Sequence, residues 1–194
     1  MVSFFTRFKA YLIDLMIFIF VVGLVSSFIP KSDRLETISK DLSGLQSAYT
    51  KSEITLNEYT KKYEELVPLY DKENIATNIC NLIFILGYFI IIPLYNEGQT
   101  VGKKLLNIKI KKEKGKLTIF DMIIRNFVTT SLLQLMLSTI FIYVLKSNIY
   151  PYAVGIVSLV QILLVIITGI MIIYRKDKKG VHDLITGTHL EEAR

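Results

Sequence analysis

Four long apolar windows dominate the chain, and polar residues crowd into the segments between them. The windows cover residues 10–29, 75–94, 119–145 and 152–174. A helix needs about 20 mainly apolar residues to cross about 30 Å of hydrocarbon, and each window is long enough. The first window also resembles the core of a signal peptide, but its length and Asp14 favour a retained span. The pattern predicts an all-α polytopic membrane protein with four transmembrane helices.

The segment 31–74 carries apolar residues at alternating spacings of three and four, which is the heptad pattern of helices that pack along one stripe. The residues of this stripe are Leu35, Ile38, Leu42, Leu45, Tyr49, Leu56, Tyr59, Tyr63, Leu66 and Tyr70. Two capping-box pairs mark helix starts, Asp33 with Glu36 and Thr55 with Glu58. We therefore predict a coiled-coil-like helical hairpin, with helices over about 33–49 and 55–74.

Three interpretations of this hairpin stay open. It buries only its own stripe, or it offers a docking or dimerisation surface, or it is disordered. The second interpretation implies a homo-oligomer or an extracytoplasmic protein partner bound through 31–74.

The formal net charge of +6 matters through where Lys and Arg lie. They concentrate near the N-terminus, in 96–118 and after Tyr174, whereas 31–74 has a small acidic excess. Because short cytoplasmic loops are enriched in Lys and Arg, both termini and 96–118 are expected to be cytoplasmic and the hairpin extracytoplasmic. This sorting excludes a nucleic-acid-binding surface. It also predicts contact between 175–179 and anionic lipid headgroups of the bilayer.

A few charged residues lie within or beside the apolar windows rather than in the polar segments between them. Such a charge costs at least about 2.5 kcal/mol on insertion and usually faces the bundle interior. Asp14 and Arg125 lie at similar depth in parallel spans, so we predict an ion pair between them. Asp121, one turn before Arg125, competes as its partner, and Arg7 lies two turns before Asp14. Two roles for Asp14 stay open. It belongs to a structural ion pair that orients the helices, or it is a carboxylate that binds a proton or a cation. Asp121 is a second candidate for such a binding carboxylate.

Other chemistry finds little support in the sequence. The loop that begins at Gly98 is one residue short of the P-loop spacing and lacks the Ser or Thr that holds magnesium. The two histidines and Cys80 do not form a metal-ligand cluster. We expect neither enzymatic activity nor a bound cofactor or metal.

Three ordered motifs remain, and they are Arg7-x-x-Ala10-x-x-Ile13-Asp14, Gly98-x-Thr100-x-Gly102-Lys103 and Gly180-x-His182-Asp183-x-x-x-Gly187-Thr188. Together they resemble the RDD family of small bacterial membrane proteins, which is named for one arginine and two aspartates. Arg7, Asp14 and Asp183 would be that triad, and Arg125 falls where the family often has an arginine. The resemblance implies the bacterial inner membrane and a short basic hairpin, which fits residues 111–117.

Some members of this family are thought to move ions, including by sodium–proton exchange. The resemblance covers about 1–30 and 75–190, so 31–74 goes beyond the family core.

These observations predict one membrane domain, 1–194, made of a first span (1–30), the inserted hairpin (31–74) and the remaining spans (75–194). The leading hypothesis is a small transporter or cation/proton exchanger in which Asp14 titrates and Arg7 or Arg125 is the counter-charge. A cytoplasmic mouth would be formed by Gly98, Thr100, Gly102, Lys103, His182 and Asp183. The alternative is a non-transporting scaffold that presents the hairpin to a partner protein.

Overall fold

The computed structural model describes residues 2–193 and is mainly helical. The helices are α1 (Phe4–Ser27), α2 (Asp33–Thr50), α3 (Leu56–Glu73), α4 (Ile75–Ile85), α5 (Ile92–Tyr95), α6 (Val101–Leu105), α7 (Ile119–Thr129), α8 (Leu132–Val144), α9 (Tyr150–Tyr174) and α10 (Val181–Thr186). A π-helical segment, Leu86–Ile91, joins α4 to α5. Two strands complete the fold, β1 (Ile108–Lys112) and β2 (Thr188–Glu192).

Three helical stretches are long and apolar enough to cross a membrane: Phe4–Ser27, Ile75–Tyr95 and Tyr150–Tyr174. They correspond to the first, second and fourth apolar windows, so the expectation of membrane-spanning helices is confirmed for them. Their side chains are largely exposed along most of their length. Exposed apolar surface on this scale fits a hydrocarbon environment.

The third window departs from the prediction of a continuous span. It forms α7 and α8, which are bent by 84° at a short break and count as a fourth span only if taken together. Thr130 at the break is extended, and its hydroxyl donates to the Asn126 carbonyl (2.8 Å) and accepts from the Leu132 amide (3.3 Å). Threonine side chains that bond the local backbone in this way compete with the helical ladder, which gives the bend a physical cause.

The inserted segment forms two helices, α2 and α3, that lie side by side. The ring centroids of Tyr49 and Tyr59 are 4.8 Å apart at one end, and Arg34 lies 3.2 Å from Glu73 at the other, so the helices run antiparallel. The Thr55 capping box is present as predicted. The predicted cap at Asp33 is off by one residue, because α2 has Ser32 as its N-cap. The segment also contacts α9, since Tyr150 donates to Asp71 (2.7 Å).

A small antiparallel sheet corrects the expectation of an entirely α-helical chain. β1 pairs with β2, with Ile108 opposite Glu192 and Lys112 opposite Thr188. The basic hairpin expected over 111–117 is therefore wrong, because the strand that pairs with β1 comes from the end of the chain. Ile108, Ile110, Thr188 and Leu190 alternate inward along the two strands and are buried.

The buried core lies where the π-helical segment, α1, α7 and the sheet meet. Its largest members are Ile85, Tyr88, Phe89, Ile90, Ile108, Ile110, Met122, Leu132 and Leu190. The sheet therefore closes one end of the helical bundle, and the chemically interesting residues described next lie beside it.

Candidate functional site

Asp14 lies on α1 and is almost completely buried, with 1% of its surface exposed. Its Oδ1 accepts a hydrogen bond from the Tyr88 hydroxyl (2.6 Å) and another from the Gly102 amide (2.8 Å). Its Oδ2 accepts from the Thr100 hydroxyl (2.6 Å). These three donors give both oxygens of the buried carboxyl group hydrogen-bond partners.

The loop before α6 explains how these donors reach α1. Gly98 has φ +80°, and a Cβ there would lie 2.2 Å from the Ile110 carbonyl oxygen, so only glycine fits. Thr100 is the N-cap of α6, so its hydroxyl stands at the start of the helix. A Cβ on Gly102 would lie 2.3 Å from the Ala10 carbonyl oxygen, so the absence of a side chain lets α6 pack directly on α1.

Lys103 supplies the positive charge beside Asp14. Its Nζ lies 3.8 Å from Asp14 Oδ2 and donates to Thr100 Oγ1 (3.2 Å). Burial lowers the pKa of Lys103 to about 8, although the carboxylate of Asp14 acts to raise it. The ammonium group therefore exchanges its proton at a pH only slightly above neutrality.

A second cluster surrounds Asp183 in α10, whose side chain is fully buried. Arg7 donates from Nη1 to Oδ2 (3.0 Å), and Arg125 donates from Nη1 to Oδ1. The Gly180 amide also donates to Oδ2 (3.1 Å), so Asp183 caps its own helix. Arg125 further donates to the Thr188 hydroxyl at the start of β2. The cluster thus joins α1, α7, α10 and the sheet through one carboxylate.

The cationic neighbours fix the charge state of this cluster. Burial would raise the pKa of Asp183, but the charges of Arg125 and Arg7 hold it well below its ordinary range. Burial, followed by the charge of Arg125, lowers the pKa of His182 to about 3, so its imidazole is neutral at physiological pH. Asp183 therefore remains ionised and His182 uncharged over the whole physiological range.

The structure corrects the predicted pairing of Asp14 with Arg125. Both arginines point instead to Asp183, whereas Asp14 takes its donors from the Gly98–Lys104 loop and Tyr88. Asp121 does not compete for Arg125 either. It accepts from Lys112 Nζ (2.6 Å) and forms the capping box of α7 with Thr118.

The predicted site residues thus fall into two groups, and Asp121 belongs to neither. Thr100, Gly102 and Lys103 surround Asp14, with Gly98 shaping their loop; Arg7, Arg125 and His182 surround Asp183.

Sequence reasoning missed Tyr88, because a tyrosine within an otherwise apolar window reads as a packing residue. It also missed Thr168 on α9, which is buried with no hydrogen-bond partner for its hydroxyl among the described residues. Each lies in a charge-free window that holds several other polar residues, so no sequence signal singles it out.

One cavity of about 420 Å³ connects the two clusters. Its walls come from α1, α7, α9 and α10, together with Lys103 of α6 and parts of the sheet. Asp14 and Lys103 of the first cluster line it, and so do Arg7, Arg125 and His182 of the second. Most of the remaining wall is apolar, so the few charged groups mark out where a polar solute can bind.

Apolar membrane-spanning helices around a charged interior cavity define a small polytopic membrane protein. Within that class the chain belongs to the RDD family, which it matches over residues 1–187. The resemblance read from the three motifs is thereby confirmed.

A curated relative is the uncharacterized protein YckC of Bacillus subtilis (strain 168), which is 26% identical over 112 residues. That match covers 57% of this chain and 58% of the relative, so the chain spans little more than half of YckC. No solved structure matches the chain.

Proposed function

We propose that this protein is a proton-coupled cation exchanger and that Asp14 and Lys103 form its exchange centre. The observation that carries the proposal is the position of Lys103 Nζ, 3.8 Å from a buried carboxylate and on the wall of the same cavity. An ammonium group that releases its proton near neutrality can yield its place beside Asp14 to another cation. The function of Asp14 predicted from the sequence is kept, but its counter-charge becomes Lys103 rather than an arginine.

The exchange step conserves charge. A monovalent cation enters the cavity and binds Asp14 Oδ2 as Lys103 loses one proton to water, so one positive charge replaces another. The hydroxyl oxygens of Tyr88 and Thr100, 2.6 Å from the carboxylate, supply further ligands for a hard cation. Return of the proton to Lys103 expels the cation.

The neighbours of Lys103 determine its pH response. Asp14 on α1 favours the ammonium form, and Arg125 on α7 disfavours it. His182 on α10 stays neutral, and Arg7 on α1 is occupied by Asp183. Because Lys103 must lose its proton before a cation binds, exchange is expected to increase as the pH rises through about 8 and to level off above it.

The distribution of Lys and Arg supports an orientation in which both termini and the Gly98–Lys104 loop are cytoplasmic and α2 and α3 are extracytoplasmic. In that orientation α7 and α8 together complete a four-span bundle in the bacterial cell membrane. The cavity then lies toward the cytoplasmic side of the bundle, where Lys103 and His182 line it, while Thr100 and Asp183 are buried behind its wall.

The test is flux in liposomes that contain the purified full-length protein, with a panel of alkali cations and an imposed pH gradient. Asp14→Asn removes the cation-binding charge and is expected to abolish exchange. The matched control is Asp41→Asn, the same substitution at an exposed position on α2. The proposal is wrong if the Asp14→Asn protein exchanges cations at the wild-type rate.

Substitutions of Lys103 distinguish proton-coupled exchange from cation binding without proton coupling. Lys103→Arg places a guanidinium that does not deprotonate beside Asp14, and we expect it to block exchange at every pH tested. Lys103→Gln removes the competing charge, so cations still bind but the pH dependence near 8 disappears. Lys104→Arg, at the exposed neighbouring position, is the control and should behave as wild type. Unchanged pH dependence in Lys103→Gln protein would show that another group carries the proton.

A second candidate function is a non-transporting scaffold that acts through α2 and α3. It is favoured by the partial exposure of stripe residues, since Leu56 keeps 63% and Tyr63 keeps 37% of its surface exposed. A homo-oligomer or an extracytoplasmic partner would cover them. Replacement of residues 33–72 by a short linker destroys function if the scaffold is correct and leaves flux intact if the exchanger is correct.

A further inference from the structure

The part of the cavity beside α9 and α10 contains polar atoms that the exchange centre does not use. His182 and Thr168 both line the cavity, and only 4% and 5% of their surfaces are exposed. Within residues 2–193, neither His182 Nδ1 nor Thr168 Oγ1 has a hydrogen-bond partner. Buried polar groups are almost always bonded, so two unpartnered atoms in one cavity point to a ligand.

The charge around the cavity identifies the sign of that ligand. Arg7, Lys103 and Arg125 line it together with Asp14, and Asp183 pairs with both arginines. Three positive groups therefore face two negative ones, which leaves an excess of one positive charge. Since an uncompensated charge in an apolar interior is costly, a ligand with one negative charge would balance the cavity.

The partly exposed apolar wall of the cavity indicates that the ligand also has an apolar part. Phe8 and Tyr11 on α1 and Val165 and Ile166 on α9 line the cavity, and each keeps between 39% and 51% of its surface exposed. These residues lie near the start of α1 and in the second half of α9, two spans whose outer surfaces are apolar. A hydrocarbon chain can therefore rest between α1 and α9 with its polar end inside the cavity.

We propose that the cavity binds an anionic phospholipid, whose single-charged phosphodiester group lies between Arg125, Thr168 and His182 and whose acyl chain lies between α1 and α9. Basic pockets between membrane helices are a known setting for anionic headgroups. The Thr168 hydroxyl donates to a phosphate oxygen. His182 Nε2 lies 3.5 Å from Asp183 Oδ1, which favours the ring proton on Nε2, so Nδ1 is an acceptor for a hydroxyl of the headgroup. The headgroup contacts do not include Asp14, so lipid binding can be measured whether or not the protein exchanges cations.

The test measures lipid binding to the full-length protein in a neutral detergent by native mass spectrometry. Phosphatidylglycerol, with one negative charge, is expected to bind at one copy per chain and at least about tenfold more tightly than phosphatidylcholine, which has no net charge. Inorganic phosphate serves as the headgroup-like anion without a chain and is expected to compete poorly. Equal binding of the two lipids, or displacement of phosphatidylglycerol by phosphate at equal concentration, would overturn the proposal.

Thr168→Val removes only the hydroxyl and keeps the side-chain shape. We expect it to weaken phosphatidylglycerol binding about fivefold to tenfold and to leave phosphatidylcholine binding unchanged, because a hydrogen bond to a charged group is lost. The control is Thr139→Val on α8, whose hydroxyl bonds its own helix at the Leu135 carbonyl. The proposal is overturned if both variants weaken binding equally or if neither does. Cation flux is measured in parallel in liposomes made of phosphatidylcholine alone, and this measurement tests the proposed exchanger independently of phosphatidylglycerol binding.

Discussion

The two buried aspartates form a natural comparison, because they have the same side chain and nearly the same burial but different partners. Asp183 is held by two arginines, whereas Asp14 is held by two hydroxyls, an amide and a lysine. Arginine keeps its proton in proteins, and a buried lysine readily gives its proton up. The Asp183 cluster is therefore a permanent connection between helices, and the Asp14 cluster has two charge states.

The largest effect is expected for Asp183→Asn. The substitution leaves two buried guanidinium groups without a compensating charge, which typically costs about 3–5 kcal/mol. We expect a large loss of thermal stability in detergent and poor yield of monodisperse protein. A melting temperature of the Asp183→Asn protein close to that of the wild type would contradict the structural role assigned to Asp183.

A smaller loss is expected when a methyl group is added between α6 and α1. In Gly102→Ala the new Cβ meets the Ala10 carbonyl oxygen and the Asp14 carboxyl group, so the two helices must separate at a cost of about 1–3 kcal/mol. Thermal unfolding measures it. Gly155→Ala on α9 is the control, because a Cβ there has nothing within 4 Å. Equal melting temperatures for the two variants would contradict this close packing.

Asp14→Asn should cost less stability than Asp183→Asn, about 1–2 kcal/mol. The amide remains able to accept hydrogen bonds, and Lys103, with its pKa of about 8, can lose its proton to relieve the missing charge. Unfolding of both asparagine variants in the same detergent gives the ranking. A larger loss for Asp14→Asn would reverse the roles assigned to the two clusters.

The effect that is smallest near neutrality is a pH dependence of stability, which develops in acid. The pKa of His182 is about 3 in the folded state and near 6.5 in an unfolded chain, so between these values the unfolded state binds more protons. Stability should therefore fall as the pH is lowered from about 6.5, by up to about 1.4 kcal/mol per pH unit between the two pKa values. Because the pKa of Asp183 is also lowered in the folded state, Asp183 adds to this loss of stability once the pH falls below the ordinary pKa of an aspartate. His182→Gln should flatten this slope, and His189→Gln should not.

Sequence reasoning found the components of both clusters but not their pairing. The motifs identified Arg7, Asp14 and Asp183 because charges near apolar windows are rare and stand out. The rotation of α1 and α7 about their axes, which sends both arginines to Asp183, depends on packing that a hydrophobic pattern does not contain.

The sheet and the bend were missed for related reasons. β1 pairs with a strand about 80 residues later, and neither strand has a turn signal that announces its partner. The bend between α7 and α8 rests on the side-chain bonds of one threonine within an apolar run. The heptad stripe of α2 and α3, in contrast, depends on local spacing, and their boundaries were predicted to within one or two residues.

The Arg125–Asp183 connection also has a consequence for the order in which the protein is built. Asp183 is synthesised 58 residues after Arg125 and 176 residues after Arg7. Until it emerges from the ribosome, Arg125 lacks this partner, and entry of α7 into the bilayer with an unpaired arginine would cost up to about 2.5–3.5 kcal/mol. Insertion of α7 is therefore expected to lag behind that of its neighbours and to finish only when α10 docks. A ribosome arrested before residue 183 should accordingly hold α7 in a position that a chemical probe still reaches from the water.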